Sequence, residues 1–350
     1  KQFMRGFSVI LLVLVGVVFI TGPAGLLESI TPPALDKVFW IYVIFAYYVL
    51  ATILPIDKLI GKIYPVFGIC LLIMAVGVSG GLIFEGYHIP EITLQNLHPD
   101  GLPIWPLMFV TIACGAISGF HSTQSPLMAR CITNEKQGRF VFYGAMIAEG
   151  IVALIWAAAA MTFFGSTGEL GKQLTAHGGA AWVVNTISTS LLGKVGGILA
   201  ILGVVACPVT SGDTAFRSAR LTIADFLNYK QGPIKNRFVI SIPLFIIGFI
   251  LTKINFDILW RYFAWSNQTL AMVVLWTSAM YLVVNKKFHW IATIPATFMT
   301  AVSITYIMIA KEGLKLPTYI GYPIGFAAAA IALSIFLVQA KKKNNSNALN

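Results

Sequence analysis

Residues 114–126 read CGAISGFHSTQSP. Two glycines, four hydroxyl-bearing side chains, one imidazole and a proline stand together inside an apolar run spanning residues 104–127. A plain lipid-facing helix has no use for these residues. Unsatisfied backbone in hydrocarbon costs several kcal/mol per group. Such a stretch must therefore line a cavity or pack against protein. Transporters use interrupted helices to present free backbone groups to a substrate. A kinked helix whose small residues allow close packing is the other reading. The first reading predicts a break within Ser118–Gln124, with Ser118, Gly119, Phe120, His121, Ser122, Thr123 and Gln124 as candidate substrate-binding residues. His121 could donate to a substrate carboxylate, and Phe120 could act as a gate.

The rest of the chain fits this setting. Apolar residues make up 57% of the 350 and charged residues 11%, with a mean hydropathy of +0.82. Soluble domains carry roughly 25% charged residues, so this composition belongs in a bilayer. A span needs ~20 apolar residues, and ten candidates follow: 7–26, 38–55, 64–84, 104–127, 141–164, 195–212, 237–252, 257–284, 288–310 and 319–340. Residues 180–192, AAWVVNTISTSLL, read as an interfacial helix. The fold class is an all-α integral membrane helix bundle. It forms one transmembrane domain over residues 1–340, followed by a basic cytoplasmic tail at 341–350.

The net charge of +11 raises nucleic acid as a partner, but the basic residues fill short gaps between apolar runs. With the N-terminus in the cytoplasm, 17 of the 24 lysines and arginines fall on inside segments and 7 outside. That asymmetry predicts both termini cytoplasmic. It also places the loops near 90 and 175 outside and those near 135 and 230 inside. The four cysteines, Cys70, Cys114, Cys131 and Cys207, form no CxxC pair and read as small apolar residues.

Three further segments carry polar groups at membrane depth. CPVTSGDTAFRSAR, 207–220, closes the sixth span, and Pro208 and Gly212 weaken a helix there. Thr210, Ser211 and Thr214 gather hydroxyls around Asp213, an oxygen set suited to a sodium ion or a proton. The competing reading is a helix end with Asp213 as a cap, paired with Arg217 at i+4. Glu149, in AMIAEGIVALIW, is an intramembrane carboxylate and a candidate proton carrier. A neutral Glu bonded to a neighbouring helix is the alternative. In the eighth span, Asn267 and Gln268 of WSNQT are expected to hydrogen-bond across helices. No HExxH, GxSxG, Walker or dinucleotide motif occurs, so the chain does not read as an enzyme. A coupling sodium ion or proton is the only cofactor expected. No repeat is visible by eye.

The run GFHSTQSPLMARCITNEKQGRFVFYGAMIAEGIVALIWAAAAMTFFG, 119–165, resembles the carbon starvation protein A family. So do PVTSGDTAFRSARLTIADFL, 208–227, and RGFSVILLVLVGVVFITGPAGLL, 5–27. The likeness is to the shorter branch of that family. It implies an uptake transporter of the bacterial inner membrane for small carbon sources, peptides or pyruvate, made when cells starve. Through the amino acid–polyamine–organocation superfamily it implies a leucine-transporter-like fold of inverted repeats. The fourth span then matches the sixth core helix. The sixth span matches the eighth core helix, with TSGDT at the position of the hydroxyl ligands in sodium-coupled relatives. The glycine-rich first core helix of the family has no counterpart here, and the chain starts at Lys1, so a truncated chain lacking the first core helices is expected. A nutrient sensor or a channel is the functional alternative.

Overall fold

The computed structural model describes residues 2–54, 64–89, 91, 93, 95–98, 101–177 and 179–348. All regular structure among them is helical. The helices are α1 (Gln2–Ile30), α2 (Lys37–Ile53), α3 (Tyr64–Phe84), α4 (Ile104–Ala116), α5 (Gly119–Cys131), α6 (Ala145–Phe163), α7 (Thr167–Ala176), α8 (Ala180–Phe226), α9 (Ile234–Leu251), α10 (Phe256–Val284), α11 (Trp290–Ile309) and α12 (Thr318–Ala348). A π-helical turn, Arg139–Gly144, leads into α6.

Among the described residues, eight helices are long and apolar enough to cross a membrane. Of the ten expected spans, the second is the 17-residue α2. The fourth is not one helix but two of 13 residues each, α4 and α5. Two other expectations need correction. The sixth span does not stop at residue 212: α8 continues through Pro208 and Gly212 to Phe226. Asp213 is therefore a mid-helix residue and caps nothing. Residues 341–348, expected as a tail, continue α12 to Ala348.

The chain divides into two compact units. The first comprises residues 1–102 and 128–256, the second 103–127 and 257–350. In the first unit α1, α8 and α9 converge on Phe216. A Cβ on Gly16 would meet Cδ2 of that ring at 2.8 Å, and one on Gly248 would meet its Cζ at 2.9 Å. Tyr48 of α2 and Phe245 of α9 complete the aromatic cluster, with centroids 5.8 and 5.2 Å from Phe216. Glycine at these contacts lets helices approach where apolar burial alone gives no driving force.

α8 bends at Gly193, whose φ of 65° and ψ of −176° fall in a region open essentially to glycine alone. Segment 180–192 thus separates from 194–226, as the sequence suggested. Past the bend the chain folds back, and a Cβ on Gly197 would stand 3.0 Å from Thr189 Cα. In a straight helix residues eight apart are ~12 Å apart. Leu191 and Leu192 of the short segment fill the notches over Gly81 and Gly77 of α3.

In the second unit α10 and α11 are tied by polar contacts. Trp265 Nε1 donates to the Ser303 carbonyl at 3.1 Å, Thr269 and Ser303 hydroxyls meet at 2.6 Å, and Trp276 Nε1 donates to Thr300 Oγ1 at 3.0 Å. Val110, Ala264, Met299, Val302 and Tyr306 form the apolar core beside them.

Candidate functional site

The α4–α5 interruption falls at Ile117–Ser118, at the leading edge of the expected range. Its neighbours explain how it persists. A helix start leaves its first amides without intrahelical acceptors. Here Asn267 of α10, fully buried, supplies one. Its Oδ1 accepts the Phe120 N–H at 2.7 Å and the Ser118 hydroxyl at 3.2 Å. Gln268, also fully buried, donates Nε2 to the Val110 carbonyl of α4 at 3.4 Å. Adjacent residues of WSNQT thus bond both halves of the broken span, the cross-helix role expected of them.

Gly119 permits the approach. A Cβ there would lie 2.7 Å from Leu270 Cβ and 2.8 Å from the Ala271 nitrogen. Within α5, Gly119, Phe120 and Gln124 are buried and His121, Ser122 and Thr123 half-buried, as is Ser118 just before it. The hydroxyls of Ser122 and Thr123 donate to the carbonyls of Gly119 and Phe120 at 2.6 Å each, and Gln124 Nε2 donates to Thr123 Oγ1 at 2.9 Å. These bonds leave each hydroxyl oxygen able to accept. The positive end of the α5 dipole sits at Gly119, where an anionic group is favoured.

The second group of candidates lies in the first unit. Thr210 donates to the Cys207 carbonyl at 2.8 Å, and Thr214 to the Ser211 carbonyl at 2.9 Å. Asp213 and Thr214 are buried, Thr210 and Ser211 half-buried. Asp213 Oδ2 accepts from Arg217 Nη2 at 3.4 Å, both side chains almost fully buried. Glu149 on α6 is half-buried and near enough to Cys207, one turn before Thr210, for its charge to act there.

Sequence reading treated the basic residues near Asp213 mainly as an orientation count and missed what two of them do. The end of α2 leaves carbonyls without helical donors. Arg217 donates to the carbonyls of Ala51 at 2.7 Å and Leu54 at 3.2 Å. Arg237 of α9 donates to those of Ile53 at 3.3 Å and Thr52 at 3.5 Å. Guanidinium is well matched to the negative end of a helix dipole. A second tie, in the other unit, was also unread: Glu312 accepts from the Tyr306 hydroxyl and pairs with Arg261 Nε at 3.4 Å. The residue types were visible, but their separations, 163 residues between Arg217 and Leu54, put them out of reach of local pattern.

Comparison with known proteins adds the lineage. The family described as Carbon starvation protein CstA matches residues 2–167. An uncharacterized membrane protein of Haemophilus influenzae is 39% identical over 228 residues, half of this chain and 62% of that protein. The peptide transporter CstA of Escherichia coli is 25% identical over 307 residues, 66% of this chain and 43% of the relative. The pyruvate/proton symporter BtsT of Escherichia coli is 37% identical over 89 residues, 23% of this chain and 12% of the relative. The chain thus spans less than two thirds of the length of each of these relatives. The matched segment, a little under half of the chain, includes the interrupted span and Glu149, and over it the chain is similar to the carbon starvation protein CstA family.

Proposed function

We propose that the protein is a secondary transporter taking up a small organic carbon source, a peptide or a pyruvate-like carboxylate, with a sodium ion or proton as the driving ion. The observation that carries this reading is the interrupted span held by Asn267. It gives a helix start, with its partial positive charge, beside Ser118, His121 and Gln124. The names of the relatives, a peptide transporter and a pyruvate/proton symporter, support both substrate classes. In this reading residues 118–124 bind the substrate. Thr210, Ser211, Asp213 and Thr214, with Glu149, serve the coupling ion. The fold is leucine-transporter-like, α4–α5 standing for the sixth core helix and 194–226 for the eighth. The bilayer is the bacterial inner membrane, with residues 2–5 and 341–348 on its cytoplasmic side.

Uptake of labelled pyruvate and of a labelled dipeptide by cells expressing the full-length protein tests this. The expected result is accumulation of one of them that collapses when the proton or the sodium gradient is dissipated. Accumulation of neither, or entry indifferent to both gradients, overturns the reading.

A further inference from the structure

The end of α2 in the first unit gathers more positive charge than its own side chains neutralise. Arg217 and Arg237 reach its last carbonyls from α8 and α9, as described above. Arg220, one turn beyond Arg217 on α8, lies within the field of both. It is only 4% exposed, and its Nε–H, sealed from solvent, finds no acceptor among the described residues; nor does the Nε–H of Arg217.

Three guanidiniums therefore stand together, two of them more than nine-tenths buried. Among the described residues the carboxylate facing them is Asp213, bonded to Arg217. Asp225, further along α8, is taken by Arg5 of α1 at 2.8 Å. Among the described residues three positive groups against one negative leave a net charge of about +2, and an uncompensated buried charge is costly. In sequence α2 is followed by Asp57, Lys58 and Lys62.

We propose that this cluster is a binding site for a phosphoryl group, with Arg220 as its principal free donor. A phosphate or phosphodiester has several acceptor oxygens and the charge to balance the excess, and the planar guanidinium fork matches its geometry. Two sources share this chemistry: the headgroup of an acidic phospholipid, favoured at basic pockets between membrane helices, and a free phosphate ion. The site does not depend on the transport reading, since none of its three arginines is assigned there to substrate or coupling ion.

The test is thermal unfolding of the full-length protein in detergent, titrated with phosphatidylglycerol, inorganic phosphate or phosphatidylcholine, for wild type, Arg220→Gln and Arg220→Lys. Phosphatidylglycerol is expected to raise the wild-type Tm at concentrations where phosphatidylcholine does not. Arg220→Gln should need at least tenfold more lipid for the same shift, and Arg220→Lys should fall between. An equal response to inorganic phosphate assigns the site to the free ion; a response to the lipid alone assigns it to the headgroup. No shift with either, or an undiminished shift in Arg220→Gln, overturns the proposal. So does binding that appears only in Asp57→Asn, because a carboxylate of the chain would then occupy the position. If Arg220→Gln does not fold, Arg237→Gln, at a half-buried position, gives the same readout.

Discussion

Single side chains hold the interrupted span together, and their removal has calculable consequences. Asn267 Oδ1 carries two hydrogen bonds from the α4–α5 junction. Asn267→Ala removes the acceptor without adding bulk, leaving the Phe120 amide without this bond in a dry site at a cost of about 1–3 kcal/mol. A Tm several degrees lower in detergent is expected, together with loss of whatever uptake the protein supports. An unchanged Tm would show that the junction does not rely on this bond. The Asp213–Arg217 pair behaves asymmetrically. Arg217 keeps the carbonyls of Ala51 and Leu54 when its carboxylate is removed, whereas Asp213 loses the guanidinium it is bonded to when the arginine is removed. Arg217→Met should therefore cost about 3–5 kcal/mol, and Asp213→Asn clearly less. If Asp213 serves the coupling ion, Asp213→Asn also removes the ion dependence of uptake and spares substrate exchange. Thermal unfolding of both variants, with uptake measured for the second, checks the pair. Equal destabilisation would contradict the stated geometry.

Elements in this chain are shaped by where glycine stands and by what caps a helix end. Gly193 ends the segment 180–192 because its backbone lies where a Cβ is not tolerated. Gly193→Ala should cost about 1–3 kcal/mol. Its first effect should be to loosen Leu191 and Leu192 from their notches on α3, seen as faster amide exchange over 180–192 than over 200–220. Uniform exchange in the variant and wild type would refute this. Pro208 and Gly212, by contrast, do not end α8. Packing supplies the difference: Gly212 gives room to Tyr48, whose Cζ would stand 2.8 Å from an added Cβ, and Gly203 lets α8 meet the backbone of α3. At Gly212 the same residue that weakens an isolated helix admits a close neighbour, and tertiary contact overrides propensity. Among the described residues the chain is thus broken at Ile117–Ser118 and at Gly193, whereas α8 runs on through Pro208 and Gly212.

For the whole molecule the chief prediction is topological. A cysteine placed at Gln95 should react with an impermeant thiol reagent added outside cells, and one placed at Lys230 only after the membrane is opened. The reverse pattern would sink the orientation drawn from the lysine and arginine asymmetry. Much of this level was legible in the sequence. Apolar runs gave the all-helical bundle and nearly all its helices, because in hydrocarbon the backbone can satisfy itself only within a helix or a closed barrel. The motif runs gave the likeness to the family matched over residues 2–167, and CGAISGFHSTQSP located a break to within one turn, because glycine, hydroxyls and proline in an apolar run have few other uses. What the sequence could not reveal were the partners: Asn267 for the Phe120 amide, Arg217 and Arg237 for the end of α2, and the charge left over at Arg220. Those depend on which helices lie side by side, and helix adjacency is set by packing between residues more than a hundred positions apart. Local pattern fixes where a helix forms. Only the tertiary structure decides whose carbonyl an arginine meets.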